Sequence, residues 1–261
     1  MTLLEAVLLG VLQGSTEFLP VSSSGHLVMG QALLGIEMPG AGFETALHAA
    51  TLLSVVIVYR ARIGALIAGS VRGDREQLRY GGLLLLASVP AAIAGVGFGG
   101  FFESLFDRPW VAGAGLLVSG CVVWTARRAL ARSPVRTVGA RDALAIGLAQ
   151  AAAIVPGVSR SGTTVVAALW KGVSPAEAAA FSFLMSVVAV GGAAVLKLPE
   201  VVSASGPVTL PALAAGAAAA CATGVLAIRV FRAMLERRSF HVFAPYLLLA
   251  GAAFLWYTSL R

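Results

Sequence analysis

With 58% of its 261 residues hydrophobic and only 12% charged, the chain is too apolar for a water-soluble domain and reads as an integral membrane protein. Its 19 Lys and Arg against 12 Asp and Glu give a net charge of +7, a surplus that in a membrane chain gathers in cytoplasmic loops rather than marking nucleic-acid binding. Cys121 and Cys221 each sit in the middle of an apolar run, which sets aside a disulfide framework or cysteine metal cluster and leaves them as packing residues.

Apolar runs between charges and Gly/Pro breaks predict ten segments, near 3–18, 26–35, 43–58, 81–99, 110–126, 142–155, 163–170, 176–196, 209–228 and 243–258. Met1-Thr-Leu-Leu-Glu5 carries no basic residue, so the first run is expected to stay in the protein rather than be cleaved as a signal peptide. A full crossing needs about 17 to 25 residues, and the runs at 26–35 and 163–170 are too short, each following a polar, helix-breaking turn. Both are expected to be returning arms of re-entrant helix-turn-helix loops, which leaves six crossings.

Charge tests that count. One side receives Arg60, Arg62, Arg72, Arg75, Arg79, Arg127, Arg128, Arg132, Arg136, Arg141, Lys171, Arg229, Arg232, Arg237 and Arg238; the other receives only Arg108, Lys197 and Arg261. Fifteen against three, with Arg160 held apart in a motif, predicts both termini on the extracytoplasmic side. Ten full crossings would spoil the separation.

The chain repeats itself at an offset of 137 residues. Gln13 answers to Gln150, and Ser22-Ser-Ser-Gly25 to Ser159-Arg-Ser-Gly162, with Pro20 and Pro156 ahead of each serine group. One membrane domain over 1–261 is therefore expected, built from a first repeat over about 1–130 with its loop at 3–35, and a second over about 140–261 with its loop at 142–171. Each repeat has three crossings, and an odd number forces the copies into opposite orientations, bringing the loop tips together near mid-bilayer. The expected fold is all-α: six transmembrane helices and two re-entrant loops in an inverted repeat.

Polar groups inside such a sequence mark function, because they are costly in lipid. Helices starting at Ser22–Gly25 and Ser159–Gly162 would leave backbone N–H groups without intrahelical partners, and two such ends aimed at one point form an anion cradle. Ser22, Ser24, Gly25, Ser159, Ser161, Gly162 and Thr163 are the candidate phosphate-binding positions. Arg160 adds a guanidinium suited to bidentate phosphate contact, against the plainer reading of a loop arginine obeying the charge rule. Gln13 and Glu17, four apart, share one helix face and can offer oxygen to a hard divalent cation, Mg2+ or Ca2+; taken alone, that spacing also suits an ordinary helix contact. His26, one turn beyond the serines, is placed to exchange a proton with Ser23 or with a bound phosphate, or else to make a structural hydrogen bond. Glu44 and His48 form another four-residue pair, either supporting the site or marking the interface. Ser182 and Ser186 read as helix-packing residues.

At Gln13-Gly-Ser-Thr-Glu-Phe-Leu-Pro-Val-Ser-Ser-Ser-Gly-His26 and Pro156-Gly-Val-Ser-Arg-Ser-Gly-Thr163 the chain resembles the undecaprenyl pyrophosphate phosphatases, the bacitracin-resistance type of membrane phosphatase, and the similarity runs nearly its whole length. The resemblance implies hydrolysis of undecaprenyl diphosphate to the monophosphate lipid that carries cell-wall precursors, with a divalent metal, at a site opening to the outer face of a bacterial plasma membrane. It implies Glu17 and the position of Gln13 for metal and diphosphate, Ser23 and His26 for the chemistry, and Arg160 for the phosphate. Many relatives carry Glu where this chain has Gln13. Three routes stay open: Ser23 attacks with His26 as base, His26 attacks while Ser23 positions, or His26 activates water. The expected partners are a polyprenyl diphosphate and membrane lipids, with no nucleic acid, and a homodimer is compatible. The competing reading is a transporter or flippase of a phosphorylated polyprenyl lipid, which inverted repeats with broken helices suit equally well.

Overall fold

The computed structural model describes residues 1–34, 41–132, 134–203 and 208–260, with the side chains of 31–34, 41, 42, 44 and 193–203 outside the description. The expected all-α class holds, and the helices in order are α1 (Leu3–Phe18), α2 (Ser23–Leu34), α3 (Ala41–Val71), α4 (Arg75–Gly97), α5 (Gly99–Phe106), α6 (Pro109–Ala131), α7 (Ala140–Ala152), α8 (Arg160–Trp170), α9 (Pro175–Ser203), α10 (Leu210–Glu236) and α11 (Phe243–Ser259), with a 3-10 turn over Phe240–Val242. Among the described residues six helices are long and apolar enough to cross a bilayer: parts of α3 and α9, and α4, α6, α10 and α11. Large apolar side chains on them point outward, with Leu85, Ile93, Leu226, Leu249 and Trp256 each at least 60% exposed, the distribution expected of a surface facing lipid rather than water.

Several helices overrun the segments predicted from sequence. α3 was expected to end near 58 but continues through Arg60 and Arg62 to Val71, bending at Tyr59 (φ −103°, ψ 17°). α10 likewise passes Arg229 and Arg232. A charge marks where a helix leaves hydrocarbon; its backbone hydrogen bonds continue in water until a turn stops them. That stop comes at Gly73 (φ +77°), after which Asp74 caps α4 by accepting from the Glu76 and Gln77 N–H groups. The short helix α5, lying in a link between crossings, has no counterpart among the predicted segments.

α1 and α2, and α7 and α8, are the short pairs. At about 1.5 Å per residue even the 16-residue α1 reaches only about 24 Å, less than the hydrocarbon thickness. α1 is clamped along α10 through small residues at four-residue spacing: a side chain at Gly14 would collide with the Ala220 carbonyl. Phe18 then enters an edge-to-face series running through Phe183 and Phe231 to Phe240, with ring centres 5.0–5.5 Å apart. These contacts fix the C-terminal end of α1, and with it Glu17.

Candidate active site

Two tight turns bring the ends of the short pairs together. After α1 the chain extends at Leu19 and passes through Ser22, whose φ of +68° is left-handed, a conformation that costs a non-glycine residue energy and concentrates at functional sites. In the second pair Gly157 (φ +85°) makes the sharp bend, and a Cβ there would collide with the Ala112 carbonyl of α6. Ser119 of α6 holds this bend by donating to the Gly157 carbonyl at 2.9 Å and accepting the Ser159 N–H at 2.7 Å.

The repeated serines do the same work twice. Ser22 Oγ accepts the Gly25 N–H at 3.2 Å and Ser159 Oγ the Gly162 N–H at 3.1 Å. Ser22 lies 3.3 Å from Ser24, and Ser159 3.3 Å from Ser161, oxygen to oxygen. One donor at each helix start is thus already taken by its capping serine, so the expected cradle is narrower than the bare helix ends suggested. Thr163 donates to the Ser159 carbonyl at 2.8 Å, a bond internal to α8 rather than one aimed at the site. The two turns are tied directly by Ser161, which donates to the Leu19 carbonyl at 3.1 Å.

Glu17 is where the groups converge. Its side chain is only 8% exposed. Arg160 donates to Oε1 at 2.6 Å, across 143 residues of sequence. Ser23 donates to Oε2 at 2.7 Å and Gln13 Nε2 to the same oxygen at 3.1 Å, while His48 Nε2 stands 3.9 Å away. A carboxylate this deep needs a compensating cation, and removing one member of such a buried pair typically costs about 3–5 kcal/mol. Gln13 Oε1 and Arg160 Nη1 are buried with no hydrogen-bond partner among the described residues. One is an acceptor open to a cation, the other a donor open to an anion.

His26 does not bond to Ser23, as the route with His26 as its base requires. Its Nδ1 lies 2.8 Å from the Ser22 carbonyl, which can only accept, so Nδ1 carries the proton and Nε2 the lone pair. Nε2 meets the hydroxyl of Tyr246 on α11. Of the remaining expectations, His48 joins the site through Glu17, and the side chain of Glu44 lies outside the described residues. Ser182 pairs with Thr164 at 2.7 Å and Ser186 donates to the Phe183 carbonyl of its own helix, both packing contacts. Gln150, the sequence counterpart of Gln13, is buried, and its amide atoms have no hydrogen-bond partner among the described residues. Its fourth residue onward is Ile154 where Gln13 has Glu17, so the second half builds no carboxylate of its own. Sequence reasoning missed Tyr246, an aromatic in an apolar run, and Ser119, a small residue in a crossing; neither stands in the repeated motifs.

The model of the family described as bacitracin resistance protein BacA matches residues 6–253. Curated relatives named undecaprenyl-diphosphatase align over almost the whole chain: that of Rubrobacter xylanophilus is 43% identical over 94% of each chain. That of Syntrophotalea carbinolica is 41% identical over 97% of this chain and 98% of its own, and that of Elusimicrobium minutum 39% over 96% of each.

Proposed function

The chain belongs to the family of the bacitracin resistance protein BacA, and on that premise we propose that it is an undecaprenyl-diphosphatase, removing the terminal phosphate of undecaprenyl diphosphate to return the lipid monophosphate to cell-wall synthesis. The observation that carries this reading is the buried carboxylate of Glu17, shared by the Ser23 hydroxyl beside one turn and the Arg160 guanidinium beside the other.

The chemistry follows from those contacts. Arg160 turns its free Nη1, and then Nη2, toward the incoming phosphoryl oxygens, exchanging the carboxylate for the substrate. Released from its cation, Glu17 becomes the better base and takes the Ser23 proton along the existing 2.7 Å bond. Ser23 Oγ attacks the terminal phosphorus as the bridging P–O bond breaks, and the lipid monophosphate departs with that electron pair. Water then attacks the phosphoserine, giving its proton to His26 Nε2, while the P–Oγ bond breaks, Ser23 Oγ takes back the proton held by Glu17, and inorganic phosphate leaves. This route keeps Ser23 as nucleophile and moves the first base from His26 to Glu17.

A divalent cation would be held by the Glu17 carboxylate and by Gln13 Oε1 beside it, an acceptor with no partner among the described residues; Mg2+ is usually bound through one or two carboxylates with the remainder from substrate phosphate and water. Bound there, Mg2+ or Ca2+ would offset charge on the phosphoryl oxygens. The fifteen-to-three split of Lys and Arg supports extracytoplasmic termini, re-entrant turns entering from opposite faces, and a site opening outward in the bacterial plasma membrane.

The deciding experiment is release of inorganic phosphate from a polyprenyl diphosphate by the purified protein in detergent with Mg2+. The wild type is expected to turn over; Ser23→Ala and Arg160→Ala should each fall about 100-fold or more, with Arg160→Lys recovering part of the loss. A wild-type protein that binds the lipid but releases no phosphate would make it a carrier instead.

A further inference from the structure

α11 supplies a group to the site that the two repeated motifs do not contain. Tyr246 stacks on His26 with ring centres 5.7 Å apart and planes 19° from parallel, and its hydroxyl meets Nε2. On the far side of the ring Nδ1 donates to the Ser22 carbonyl at 2.8 Å. That carbonyl belongs to the left-handed residue of the turn and also accepts the His26 N–H at 3.2 Å, so the imidazole is anchored to the strained bend itself. Both ring nitrogens are therefore assigned. Since the carbonyl has no proton to give, Nδ1 must hold it, and the tyrosine hydroxyl donates to the Nε2 lone pair.

We propose that Tyr246 is a positioning residue for the phosphatase reaction: it fixes the plane of His26 and caps the Nε2 lone pair with its hydroxyl, which gives way to the water that attacks the phosphoserine. The inference rests on the phosphatase reading. The rest of the site supports the need for such a residue. Glu17 is held by four partners from α1, α2, α3 and α8, whereas among the described residues the turn gives the imidazole of His26 main-chain groups alone, at Ser22 and Val21. Neighbouring Gly113, Gly120 and Gly251 let α6 and α11 approach closely, which brings the tyrosine near enough to reach across. At 47% exposure Tyr246 is not itself a core residue; its ring is placed by the histidine it covers.

Two measurements test this. Tyr246→Phe keeps the ring and removes only the hydroxyl, and is expected to lower kcat about 10- to 100-fold with KM within about twofold, the scale of loss when a histidine's orienting partner is removed. Independently of any substrate, the lone pair it uncovers should react faster with diethyl pyrocarbonate: carbethoxylation of His26, followed by peptide mass, is expected to accelerate severalfold in Tyr246→Phe while that of His241 is unchanged. Tyr246→Leu, which also removes the stacking, should show the same acceleration and a larger kcat loss. A Tyr246→Phe protein with wild-type kcat and wild-type His26 modification rate overturns the proposal. A wild type that releases no phosphate overturns the phosphatase reading instead, and the modification rates still report whether the tyrosine guards Nε2.

Discussion

Gln13 is the most informative single position. It donates to the carboxylate of Glu17 through Nε2 and leaves its buried Oε1 with no hydrogen-bond partner among the described residues. Gln13→Glu would set a second carboxylate within hydrogen-bond distance of the first, a repulsion that only a proton or a cation relieves. The expected result is a lower Mg2+ concentration for half-maximal phosphate release together with a lower melting temperature in metal-free detergent; an unchanged metal dependence would remove Gln13 from the metal site. The residues that meet at Glu17 were readable from sequence because each breaks an apolar run, and a polar group at that depth has to be there for something. Which of them touch was not readable. Ser23 and His26 are near neighbours on one helix, yet the serine turns to Glu17 and the histidine to Tyr246, a choice made by side chains 6 and 220 positions away.

The turns matter as much as the helices they join. Gly157 combines a left-handed backbone with direct approach to the Ala112 carbonyl, so Gly157→Ala incurs both strain, about 1–3 kcal/mol, and displacement of the bend. Thermal unfolding in detergent should show the loss, and phosphate release should fall further than stability alone predicts, because Arg160 follows three residues later. Gly64→Ala, in the interior of α3 with nothing within 4 Å of the added methyl, is the control: stability should hold or rise by up to about 1 kcal/mol, and phosphate release should not fall. Sequence patterning located the ten apolar stretches well, since hydrophobic length is a direct physical requirement of the bilayer. It misjudged helix ends at Arg60 and Arg229, where charge signals the end of lipid and not the end of the helix, and passed over α5.

Across the whole molecule the distribution of Lys and Arg makes a prediction about sidedness. In a protein whose Cys121 and Cys221 are replaced by Ala, Asp107→Cys should react with a membrane-impermeant maleimide in intact cells, and Arg79→Cys only after permeabilisation. The reverse pattern would turn the site toward the cytoplasm. The six crossings enclose polar turns that neither half of the chain completes alone, and the ion pair at their centre has an implication for how the molecule is made. Translation delivers Glu17 to the membrane 143 residues ahead of the guanidinium that neutralises it. Until then the carboxylate has to remain hydrated or take up a proton, so the first hairpin reaches its final depth only when more than half of the chain has been made and the second hairpin comes in to meet it.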